Sequence, residues 1–388
     1  MYFTFSEEPS FGEDSTSQDY VVDLLEENVI DNIEYDKLSE FNHPTSQKRI
    51  NKVKTVDGRI GLGLTFDNQA WNILFKNLLG RKVRLTGFAL ARSVEKWNIV
   101  TGILTTDINS SQTTFAITEY KTGEFNNVSG VIVNNEYIKV NVINNGGITG
   151  SDRHSEGSTA ASHLQNALVY GVVSSGGNTV DIISRYRSGF SYLLPTSVTC
   201  LIYREGDYFC FNGVHFQGLV FNARPAEGVS TSLMLKGRDA RVIDIANPSQ
   251  AIDENDLVDT DQINGFSMGE WIDISHLYFQ VSNTLSQGSA KFMDNTCQAM
   301  ILNRFSTYGQ FSIPESNLDF YKNYINDDEK NLSVTICNSR LFDKAFVFAF
   351  NKIKIGTMQH ILRTTRLVHD SIPFYVFGED SFTVLIQN

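Results

Sequence analysis

Apolar residues recur at every second position in run after run of this 388-residue chain, the period of strands that bury one face. In the clearest run, Gly58 to Phe66, the residues Ile60, Leu62, Leu64 and Phe66 share one face while Gly61, Gly63 and Thr65 take the other. Similar runs occupy 84–91, 97–104, 113–118, 128–142, 167–173, 179–184, 197–204 and 208–211. More follow at 219–222, 232–236, 271–281, 299–305 and 345–350, and Phe382, Val384 and Ile386 close the chain with a last alternation. With 27 Phe and 15 Tyr against 7 Pro, strand should outweigh helix, which predicts a mainly β (α+β) class.

Two places break the period of two. Asp67 offers an N-cap, Trp71, Leu74, Phe75 and Leu78 follow at helical spacing, and Gly80 ends the segment. In the second half, 308–313 reads as a strand, Ser316 as a cap, Leu318, Tyr321, Tyr324 and Ile325 as a helix face, and 332–337 as a returning strand. The same order of strand, capped short helix and strand predicts an internal duplication. It divides the chain into an N-terminal arm at 1–50, a first β module at 51–217 and a second at 218–388. The arm is polar and acidic, and its amphipathic stretch from Tyr20 to Leu25 is expected to dock as a short strand or helix on a neighbour. Asn134-Asn135 suits a tight hairpin turn, and long polar loops are expected at 144–158 and 248–261.

The formal net charge is −12 and no dense Lys/Arg cluster occurs, which argues against a groove that grips nucleic acid. No run of about 18 apolar residues is present, and the first twenty residues lack the pattern of a secretion leader, so a protein used in soluble form is expected. Cys200, Cys210, Cys297 and Cys337 are scattered without CxxC spacing and read as buried free thiols. The Gly-rich stretches at 146–147 and 174–177 match no phosphate-binding pattern, and the seven histidines form no metal-binding pair. Phe346, Phe348 and Phe350 read as core, as do Trp71 and Trp97, whereas Trp271 is expected to be exposed. Arg153, His154, Glu156 and His163 lie in or beside one polar loop, and Asp253, Glu254 and Asp256 in an acidic one. These seven are the expected contact residues between copies, and no catalytic residue, cofactor or metal is expected.

The element carrying Gly58, Gly61, Phe66, Trp71, Leu78, Leu79 and Gly80 resembles the strand and helix at the heart of bacteriophage tail-tube subunits. The resemblance implies β-sandwich or barrel modules, each with a flanking short helix, with extended loops and an N-terminal arm bridging neighbours in stacked rings around a DNA channel. It implies a virion protein made in the host cytoplasm, with itself and other phage tail proteins as partners, no membrane, and genomic DNA passing without specific binding. Two modules per chain would give a trimeric ring, one module a hexameric ring. Acidic side chains along the channel would keep DNA mobile by repelling phosphates. A baseplate, tube-initiating or adaptor protein with the same module is the near alternative. A carbohydrate-binding receptor-recognition protein is the alternative from another class.

Overall fold

The computed structural model of the chain describes residues 2–13, 15, 20–39, 47–66, 68–93, 98–119, 123–144, 147–149, 151–153, 155–185, 187–188, 191–192, 196–204, 207–224, 228–243, 258, 263–267, 270–287, 300–313, 326–337, 344–357, 370–378 and 382–388. The first elements are the strands β1 (Tyr2–Glu7), β2 (Tyr20–Ser39) and β3 (Gln47–Gly63), the helix α1 (Asn68–Leu79) and β4 (Gly80–Leu90). Short strands follow: β5 (Thr101–Leu104), β6 (Phe115–Glu119), β7 (Gly130–Val133), β8 (Glu136–Lys139), β9 (Val142–Asn144) and β10 (Gly147–Thr149). The middle of the chain holds β11 (Leu168–Arg185), β12 (Arg187–Ser188), β13 (Ser191–Tyr192), β14 (Val198–Arg204), β15 (Asp207–Arg224), β16 (Gly228–Gly237) and β17 (Asp239–Ile243). The last strands are β18 (Ile263–Ser267), β19 (Glu270–Ile272), β20 (His276–Gln287), β21 (Met300–Ile313), β22 (Lys330–Cys337), β23 (Ala345–Ile355), β24 (Asp370–Val376) and β25 (Phe382–Gln387). The fold is thus mainly β, with one α-helix among the described residues. None of their helices is long and apolar enough to cross a membrane.

The ladder is antiparallel. β2 pairs with β3, β3 with β16, and β16 with the C-terminal part of β15, which also takes β20. From β20 the sheet continues through β21, β24 and β23 to β25, then to β11 and β4. The N-terminal part of β15 pairs instead with β14 and β17, and β1 joins β14 to β2. The pairing β2–β3–β16–β15–β14–β1 therefore returns to its own start, within a sheet that as a whole is not closed into a barrel. Alternation explains what fills this circuit. Phe3 and Phe5 of β1, Ile60 and Leu62 of β3, Phe216 of β15 and Leu233 of β16 point inward and belong to one buried cluster.

The helix α1 lies against that cluster. Trp71, Leu74, Phe75 and Leu78 are at most 1 % exposed, so the stripe at helical spacing is the buried face. Gly80, at φ 104°, turns the chain out of the helix, and Asn283 Nδ2 donates to the Leu78 carbonyl at 2.8 Å, satisfying one of the acceptors that a helix end leaves open. The Phe75 ring sits 5.9 Å from that of Phe348, which is 5.2 Å from Phe221 and 5.0 Å from Phe279. Phe346, Phe348 and Phe350 are all buried, in the core expected for them.

These contacts cross the expected boundary between modules. The proposed boundary at 217/218 falls inside β15, one continuous strand whose two parts pair with different partners. The helix of the first module packs on β23 of the second, and β25 is hydrogen-bonded to β11 on one side and β23 on the other. The largest buried cluster holds residues from both halves, from Phe3 to Ile386, a second does so from Val83 to Leu385, and a third is built from residues 91–169 alone. Within the expected N-terminal arm, β1 and the start of β2 are inner members of the sheet, because Phe3, Phe5, Val21 and Val22 supply apolar area that acidic neighbours obscure in the sequence. The second helix, with Leu318, Tyr321 and Ile325, lies outside the described residues, as do the Asp67 cap and Trp97. Trp271 is half-buried, edge-on to Phe266 at 5.1 Å.

Candidate assembly and binding surfaces

The hairpin β2–β3 outruns the sheet it belongs to. β16 covers β3 only from Val56 to Gly63, whereas the β2–β3 register continues from Asp31↔Val56 out to Ser39↔Gln47. Residues 32–39 and 47–55 therefore pair with each other and, among the described residues, with no third strand. The outer part of β2 carries Asp31, Glu34 and Asp36 in its sequence, and that of β3 carries Lys48, Arg49, Lys52 and Lys54. A two-stranded ribbon of this kind leaves two rows of backbone N–H and C=O groups outside the ladder, which is the template that strand addition uses.

The polar loop at 151–167 is organised from within by a residue that sequence reading passed over. Glu136 begins β8 and is fully buried, and Arg153 donates to its carboxylate from Nε at 2.6 Å and from Nη2 at 2.7 Å. His163 Nε2 lies 2.8 Å from the same carboxylate, and the Ala161 N–H donates to it at 3.0 Å. Burial by itself would raise the Glu136 carboxyl, but the hydrogen bonds from Arg153, His163 and the Ala161 N–H hold it below the ordinary carboxylate value. The guanidinium is completed by the carbonyls of Asn109, Gln112 and Ala161. Arg153 and His163 are thus interior residues that pin the loop onto the β7–β8 hairpin, whose Asn134 takes the left-handed turn position at φ 53°. Their assignment as contacts between copies is corrected, since 8 % and 2 % exposure leaves no surface to offer. Glu156 is exposed at φ 51°, and His154, Asp253, Glu254 and Asp256 lie outside the described residues.

The outer face of the sheet forms a third surface. On β20, Leu277, Phe279 and Val281 are buried, so Tyr278, Gln280 and Ser282 face outward beside Tyr308 and Gln310 of β21. Tyr308 donates its hydroxyl to Gln280 Oε1 at 2.6 Å, Tyr278 does so at 3.3 Å, and Gln280 Nε2 donates to Ser282 at 2.8 Å. Across β15 and β16 the face continues through Asn222, Ser230 and Ser232 to Arg59 on β3, whose Nε donates to the Ser232 hydroxyl. A groove of about 550 Å³ lies on this face, rimmed by the exposed Leu25. Leu25 is at a register shift where β2 bulges, and a bulge re-aims a side chain in this way.

Among the described residues no group of three or more His, Cys, Asp or Glu is placed to hold a metal ion. Cys200, Cys210 and Cys337 are buried free thiols, each pushed up by burial; Cys297 lies outside the described residues. No protein-family model matches the chain, and no curated protein matches its sequence.

Proposed function

We propose that this chain is a non-enzymatic structural subunit of a bacteriophage tail tube, polymerising with itself into stacked rings through which DNA passes. The observation that carries the reading is the β2–β3 ribbon, whose residues 32–39 and 47–55 have only each other as strand partners among the described residues. An edge of that length is an aggregation hazard in a solitary protein and an adhesive in an assembling one. The mainly β architecture and the strand-plus-helix element around Trp71 fit the resemblance on which the tube reading began. Because the largest buried cluster draws on both halves of the chain, the reading favours six copies per ring over three.

The test is negative-stain microscopy and sedimentation of the purified chain at rising concentration, beside a variant in which 32–55 is replaced by a two-residue Asn-Gly turn. Hollow tubes or rings of uniform width are expected from the intact chain and folded monomers from the variant. Monomers of the intact chain at every concentration, or equal assembly by the shortened one, would overturn the proposal. Short capped rings that never elongate would place the chain at the baseplate end.

A further inference from the structure

We infer that the groove on the outer face of β3, β16, β15, β20 and β21 is a binding site for neutral oligosaccharide. Charge at the groove excludes one class of ligand. Of the groups lining the groove, Arg59 and Arg224 are cations and Glu26 is an anion, and the remainder are amides, hydroxyls, a histidine, two aliphatic side chains, Tyr278 and the Gly61 notch. A polyanion needs a surplus of cations to displace its counterions, and a chain of net charge −12 with one surplus arginine here does not supply it. A ligand that is uncharged and covered with hydroxyls matches a wall of Asn222, Ser230, Gln310 and Tyr278, each able to donate and to accept.

Rigidity is the second strand of the argument. The Tyr278 and Tyr308 rings stand 6.4 Å apart at 49°, and Gln280 Oε1 accepts from both hydroxyls while its amide nitrogen is held by Ser282. Aromatic planes fixed in advance lose little rotamer entropy when a ligand packs on them. The C–H face of a pyranose ring is the apolar part of a sugar, and it packs on such planes while its hydroxyls turn to the amides. Tyr308 is 38 % exposed, and Tyr375, opposite it on β24, is 59 % exposed, so the platform is open beyond the groove. The exposed rings of Tyr308 and Tyr375 and the half-buried ring of Tyr278 are not needed by the core beneath, which is filled by Phe279, Val281 and Phe311.

The site is tested on a printed array of neutral hexose, hexosamine and deoxyhexose oligosaccharides, with poly(dT) and hyaluronan as polyanions on the same slide. Binding to a related group of neutral glycans is expected, falling at least tenfold in Tyr278→Ala/Tyr308→Ala and in Ser230→Trp, which fills the groove from an exposed position. Tyr308→Phe, which keeps the ring and loses the bond to Gln280, is expected to fall less. Signal on the polyanions alone, no neutral glycan above background, or undiminished binding by both Ser230→Trp and a folded double variant overturns the inference. The readout is independent of tube assembly, so either proposal can fail without the other.

Discussion

At the scale of single residues, His215 is the group whose protonation the fold resists most plainly. It is 6 % exposed on β15, stacked on Phe11 at 5.6 Å and 13°, with a buried Nδ1 that has no hydrogen-bond partner among the described residues. Burial pushes its pKa down from 6.5 to about 4. The folded value lies below the unfolded one, so the unfolded chain binds the proton more readily, and the stability tied to the neutral ring is present above pH 6.5 and lost as pH falls towards 4. A shift of that size corresponds to roughly 3 kcal/mol over the window. His215→Phe keeps the stack on Phe11 and removes the titration, so its urea-unfolding free energy is expected to fall less between pH 7 and pH 4 than that of the parent. Parallel pH profiles for the two would show that His215 is not the source. The Glu136 knot shows what the sequence hides at this scale: Arg153 and His163 stood out together, but Glu136 begins the strand run EYIK and looks like an outward-facing strand residue. Only the tertiary fold sets it beneath a loop 17 residues later.

At the scale of elements, α1 was legible because cap, helical stripe and closing glycine all lie within fourteen residues of sequence. Its face is buried as the spacing predicts, and Trp71→Ala is expected to destabilise the fold by about 3–5 kcal/mol, the range for deleting a large core aromatic. Chemical denaturation of the variant reads this directly, and a loss below about 1 kcal/mol would mean that the helix does not seal the core. Strands were legible where one face is buried, as in β3, and in β23, where Phe346, Phe348 and Phe350 share one face although both faces are covered. Their extents were not: β11 runs through the Gly-Gly turn signal at 176–177 with a register shift between Ser174 and Thr179, because β4 pairs with residues on both sides of it, 172–174 and 179–185. The length of β2 was missed for a related reason, since the sequence from Asp31 to Ser39 lacks a sustained alternation of period two, and that part of β2 has β3 as its one strand partner among the described residues.

At the scale of the whole molecule, the apparent duplication and the pairing pattern give opposite answers to whether half the chain can fold. A repeat read from element order treats strand, helix and strand as a unit that closes on its own core. The ladder does not respect that unit, because β15 serves β14 up to Val214, β16 from His215 and β20 from Gly218, and cutting at 217/218 severs its ladder with β16. The fragment 1–217 would lose β16, leaving β3 without its inner partner, and β25, leaving β11 with one bare edge. It would also expose the α1 face, since Phe279 and Phe348 sit on the other fragment. The fragment 218–388 would keep β20 to β25 but lose the helix that covers Phe348, and Tyr170, whose hydroxyl donates to Ser333 at 2.8 Å from the far side of the cut. Each fragment would thus present unpaired strand edges and uncovered aromatic rings, the condition in which β chains aggregate. The expected outcome is that neither fragment made alone gives a cooperative thermal transition, and that co-expression restores one by reassembling β15. A fragment that melts cooperatively by itself would show that the chain does contain two separate cores.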